Sequence, residues 1–121
     1  MKFLADAAPG HAVSGYGDGW VTVNGQRFAH SLVIGQDQLM AWDCPGFDAL
    51  HQSHFARLAA LNPELIIFGS GKRLQFPAPA LLADLYGRRI GVETMDTQAA
   101  CRTYNFLLGE GRRVVAALLI D

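Results

Sequence analysis

The chain has 121 residues, half of them hydrophobic and 17% charged, with a formal net charge of −1. That length and composition specify one globular domain with a substantial core and exclude a disordered chain. The near-neutral balance excludes the basic face that a nucleic acid requires, and the longest apolar run, Val114 to Ile120, is far too short to insert across a membrane.

Residues 1–18 hold Pro9, Gly10, Gly15 and Gly17 and read as a flexible arm, with a short strand at Phe3–Ala5. Asp6 ends the apolar start before a signal-peptide core can form, so no targeting segment is expected. A single domain is expected over 19–121. Trp20 to Phe28 reads as a β-hairpin: Asn24-Gly25 supplies the two positive-φ residues of a type I′ turn, and its flanks alternate. Ser31–Ile34 and Gln38–Trp42 read as two further strands around Gly35-Gln36-Asp37. Cys44-Pro45-Gly46 breaks the chain, and Asp48 is expected to cap a helix running to Leu61.

The pattern then changes. Leu65–Phe68 is a continuously apolar strand, Pro79–Tyr86 a short helix with proline at its start, and Ile90–Glu93 a strand. Asp96 or Thr97 caps a helix through Leu108 that Gly109 ends, and Val114–Ile120 is the last strand. A hairpin-rich first third followed by β-α-β-α-β specifies an α/β fold. Its expected architecture is a central mixed β-sheet with packed helices in three layers, plus a smaller antiparallel β layer from the N-terminal hairpin.

Three places carry residues of chemical interest. Gly69-Ser70-Gly71-Lys72-Arg73 follows the buried strand, where α/β folds place ligands; its backbone N–H groups with Lys72 and Arg73 would hold an anion. It is no P-loop, because Ile66 stands where the first glycine belongs and Arg73 where Ser or Thr is needed. The competing reading is a tight turn that needs two glycines. Glu93 ends a strand, and Arg102 and Asn105 share a face with Gln98, beside Tyr104, on the helix that Asp96 or Thr97 opens. These residues read either as a brace, with Glu93 paired to the helix start or to Arg102, or as a ligand-binding face with Glu93 as base. Asp48, His51 and His54 fall three apart, which is a poor metal set without a fourth group. Cys44 and Cys101 form no C-x-x-C, so no metal or cofactor is expected and a reducing, cytoplasmic setting is.

The runs Pro63–Gly71, Gly91–Thr97, Ala100–Asn105 and Glu110–Val114 together resemble the Mth938-like domain family. These are small bacterial, archaeal and plant proteins related to the mitochondrial complex I assembly factor and to an adipogenesis-associated vertebrate protein. The resemblance implies a central mixed sheet with an additional β layer, and a role in building respiratory complex I by protein contact. It carries over no catalytic residue. The family pattern matches at Gly69 and Gly71, at Glu93, and at Arg102, Tyr104 and Asn105, which would converge on one pocket.

The expected function is therefore a non-enzymatic binding or assembly module with a protein partner, open to homodimerisation, presenting Trp20, Trp42 or Phe47 in an exposed apolar patch. The alternative is a small-molecule site, for an anion or carbonyl compound, between residues 69–73 and 93–105.

Overall fold

Val114–Leu118, the last in chain order of the eight strands among the described residues, lies in the middle of its sheet. The computed structural model describes residues 10–121, and the strand expected at Phe3–Ala5 lies outside them. Eight strands are described: β1 (Val13–Gly17), β2 (Trp20–Val23), β3 (Gln26–Phe28), β4 (Leu32–Gly35), β5 (Leu39–Ala41), β6 (Leu65–Gly69), β7 (Gly91–Met95) and β8 (Val114–Leu118). The large sheet runs β5-β4-β8-β6-β7 and the small one β1-β2-β3. β6 pairs in parallel with both β7 and β8, whereas β4 is antiparallel to β8 and β5, so the large sheet is mixed.

Strand chemistry explains the layering. All five residues of β8 and four of five in β6 are buried, as expected for strands covered on both faces. On one face Val33, Ile66, Phe68, Val115 and Ala117 pack against α1 (Gln52–Ala59) and α2 (Ala83–Gly87). On the other, Leu32, Ile34, Ile67, Ala116 and Leu118 meet α3 (Thr97–Gly109) and the apolar side of the small sheet, Val13, Val21 and Val23. The helices and the hairpin layer thus enclose the sheet as its sequence requires.

The hairpin turn is as read: Asn24 and Gly25 have φ of 51° and 85°, and Val23 faces Gln26. The arm differs from expectation over Val13–Gly17, which form strand β1 against β2. Gly17 is what hid it: the Trp20 indole lies so close that an added Cβ would meet ring atoms at 2.6 Å, so a residue that reads as a linker is required by packing. Asp48 does not cap the long helix. Phe47–Ala49 make one 3-10 turn, buried Leu50 breaks it in extended backbone, and α1 starts only at Gln52. There the His51 N–H donates to His54 Nδ1 (2.9 Å), and His54 Nε2 lies 2.6 Å from the Asp43 carbonyl, which occupies both ring nitrogens. Pro79–Leu82 is a 3-10 turn leading into α2. Asp96 caps α3 as expected, accepting from the Ala99 N–H at 3.0 Å.

Candidate functional site

From β6 the chain crosses one face through α2 to reach β7 at the sheet edge. From β7 it returns across the opposite face through α3 and enters the sheet at β8, on the other side of β6. The two crossovers leave the carboxyl ends of neighbouring β6 and β7 toward opposite faces, and outside the carboxyl ends of such strands α/β sheets leave a crevice. A cleft of about 310 Å³ lies there, lined by Gly71 and Lys72 after β6, Asp96, Thr97 and Gln98 at the start of α3, and Leu119–Asp121 after β8. Tyr16 and Trp20 from the small sheet form its far wall.

The turn after β6 is tied at the Ser70 and Gly71 backbone. Ser70 N–H donates to the Met95 carbonyl (2.8 Å), and Gly71 N–H donates to Thr97 Oγ1 (2.9 Å). Thr97 N–H returns a bond to the Gly71 carbonyl (2.9 Å), while its hydroxyl donates to the Leu119 carbonyl (2.7 Å). Ser70 Oγ sits 2.7 Å from the Arg73 carbonyl and accepts from Gln75 N–H at 3.0 Å. The N–H groups of Ser70 and Gly71 are therefore satisfied inside the protein and are not offered to an anion. The charges point the same way, since the cleft holds Lys72 against the carboxylates of Asp18, Asp96 and Asp121. Gly71 has φ +102°, and an added Cβ would meet the Asp121 carboxylate at 3.0 Å, so both conformation and space select glycine.

Arg102, Tyr104 and Asn105 all reach the small sheet instead. Arg102 donates to Tyr16 Oη (2.8 Å), and that bond raises its pKa further. The Tyr104 ring is fully buried, its hydroxyl donates to the His11 carbonyl, and burial pushes its pKa up. Asn105 bonds the backbone of Val13 twice. Glu93 is exposed on edge strand β7 and has neither hydrogen bond nor ion pair among the described residues, so it does not pair with Arg102.

Of the residues read from sequence, Gly71, Lys72 and Thr97 line one cleft, with Gly69 and Ser70 beneath it. Arg73 lines a neighbouring concavity of about 650 Å³ between Pro45–Ala49 and Gln75. Glu93, Arg102, Tyr104 and Asn105 line neither. The expected aromatic patch is also displaced: Trp42 is buried in the core, and Trp20 and Phe47 are half-buried. In the loop directly after β6, Leu74 (55%) and Phe76 (69%) are large exposed apolar side chains, which the sequence reading passed over. Their signal was present as two apolar residues flanking Gln75 just after Lys72-Arg73. Among the described residues no three His, Cys, Asp or Glu side chains converge as a metal set, and no helix is long and apolar enough to cross a membrane.

A doubly covered mixed sheet with a hairpin layer braced by α3 defines the class. The chain belongs to the DUF498/DUF598 family, described as a protein of unknown function, whose pattern matches residues 13–119. A structure of a Bordetella parapertussis protein is similar, at 39% identity and TM-score 0.88, covering 95% of this chain and 99% of that one. So is a Bordetella pertussis protein described as a Mth938-like domain, at 31% identity and TM-score 0.83, covering 100% and 90%. NADH dehydrogenase [ubiquinone] 1 alpha subcomplex assembly factor 3 of Bos taurus is 30% identical over 88% of this chain, which spans 59% of that protein's length.

Proposed function

We propose that this chain is a non-enzymatic binding module that works in the cytoplasm, by contact with a protein partner, in assembling respiratory complex I. The kinship to a protein named as an assembly factor supports the process. The observation that carries the binding role is the loop after β6. Leu74 and Phe76 stand in water beside Lys72 and Arg73, on a segment fixed from below by Ser70. Large apolar side chains held in fixed, exposed positions beside cations are the chemistry of a docking surface. Deleting the gene should lower the amount of assembled complex I on a native gel, with wild type restoring it and Phe76→Ser restoring less. An unchanged amount in the deletion overturns the reading.

A second reading, a small-molecule site, is favoured by the position of the cleft at the divergence of the two crossovers. It predicts that a small ligand raises the melting temperature of wild type but not of Lys72→Ala. If no anionic, carbonyl or amine compound does so, this reading fails.

A further inference from the structure

Burial alternates along the exposed loop: Leu74 exposed, Gln75 half-buried, Phe76 exposed, Pro77 buried. A period of two is the mark of extended backbone, with Leu74 and Phe76 on its outer side and Gln75 and Pro77 turned inward. The Gln75 N–H is held by Ser70 Oγ, which fixes the inner side. Among the described residues, the backbone N–H and C=O groups of Leu74 and Phe76 have no hydrogen-bond partner. Lys72 and Arg73 are exposed immediately before them, and neither joins an ion pair among those residues.

We infer that Leu74–Phe76 is an open edge to which a protein partner adds an extended segment, one that alternates apolar side chains with Asp or Glu carboxylates. The inference rests on the reading of the chain as a binding module and names its partner's chemistry. Each part of the loop supplies a different requirement. Free main-chain groups supply strand-like pairing, and the outward Leu74 and Phe76 set the register through alternate side chains. Lys72 and Arg73, nearer in the chain to Leu74 and Phe76 than the cleft's Asp18, Asp96 and Asp121, favour carboxylates on the partner over a basic segment. Because Ser70 and Thr97 already tie the turn that leads into the loop, docking orders few new residues on this side.

The test uses two synthetic peptides with the same alternating apolar residues, one with Glu and one with Lys between them, titrated into the ¹⁵N-labelled chain. The Glu peptide should shift the amide signals of Lys72 to Phe76 and slow hydrogen exchange at Leu74 and Phe76, while the Lys peptide does neither. Phe76→Ser should weaken the Glu peptide by about tenfold or more, as for an anchoring aromatic. Lys72→Glu combined with Arg73→Glu should transfer the preference to the Lys peptide. All three positions are exposed, and unchanged melting curves verify that the variants stay folded. Equal binding of both peptides, binding of neither, or shifts confined to other residues overturns the inference. Phosphatidylglycerol vesicles shifting these signals when the Glu peptide does not would also overturn it, and assign the loop to a lipid surface. If the peptide fails but gene deletion still lowers assembled complex I, the binding-module reading stands and only this mode of docking falls.

Discussion

Asn105 on α3 holds both backbone groups of Val13: its side-chain oxygen accepts from the Val13 N–H at 2.9 Å, and its amide donates to the Val13 carbonyl at 2.7 Å. β1 has β2 on one side only, so one amide side chain imitates the bond pair that a further strand would make. Val13 is completely buried, and no water can replace that pair. Asn105→Leu should therefore cost about 2–4 kcal/mol by stranding two backbone groups. Arg102→Ala, on the exposed part of the same helix, should cost much less, because water replaces its bond to Tyr16. Urea unfolding of both variants checks this, and the reverse order would show that the surface arginine, not the asparagine, secures the small sheet.

Thr97 is the corresponding tie at the other end of α3. Its hydroxyl serves Gly71 and Leu119 at once, from a nearly buried position. Thr97→Val keeps the shape and removes both bonds, with an expected cost of about 2–4 kcal/mol and a melting temperature lower by roughly 10 °C. Thr97→Ser keeps both and should lose only about 1 kcal/mol of methyl burial. Similar losses in the two variants would show that packing rather than the hydroxyl matters there.

Glu93 faces outward from β7, the strand at one edge of the large sheet. Antiparallel pairing of two β7 edges centred on this residue would set like charges opposite each other. Glu93→Val should add self-associated species in sedimentation velocity relative to wild type at equal concentration. Identical distributions would mean that the carboxylate does not guard the edge.

Cys101 makes stability fall on the alkaline side. Burial pushes its thiol from 9.0 up to about 12. Below pH 9.0 both folded and unfolded chains keep the proton, so its contribution to stability is complete. Between there and about 12 the unfolded chain releases the proton while the folded chain retains it, and stability drops by ~1.4 kcal/mol per pH unit. Tyr104, raised by the same cause, adds to the loss above its ordinary value of 10.0. Cys101→Ala should lessen the slope that begins at the lower pH, leaving the part due to Cys44, whose thiol burial also raises; an unchanged slope in urea titrations across that range would contradict the assignment.

Most of the fold was legible because its signals are local. Asn24-Gly25, the apolar run at Leu65–Phe68 and the Asp96 cap each announce their element within a few residues. β1 was not legible, because Gly17 is set by the Trp20 ring and Gly15 by the Thr22 side chain rather than by a linker's freedom. The site residues were visible as types but not as roles. Arg102, Tyr104 and Asn105 read as a brace first and a ligand face second, but what they brace was hidden, since their partners Tyr16, His11 and Val13 lie 86 to 93 residues away. Helical spacing places side chains on a face without saying what that face meets.

The central position of β8 also governs the order in which the domain can be made. Until Val114–Leu118 leave the ribosome, the large sheet exists only as two unjoined pieces, β5-β4 and β6-β7. The first hairpin layer emerges early, yet its anchors Tyr104 and Asn105 are translated some ninety residues later. A nascent chain therefore carries two unsealed apolar edges, at Leu32–Gly35 and Leu65–Gly69, until β8 has been made. A premature stop before Val114 should yield an aggregating fragment held by chaperones, not a smaller working domain.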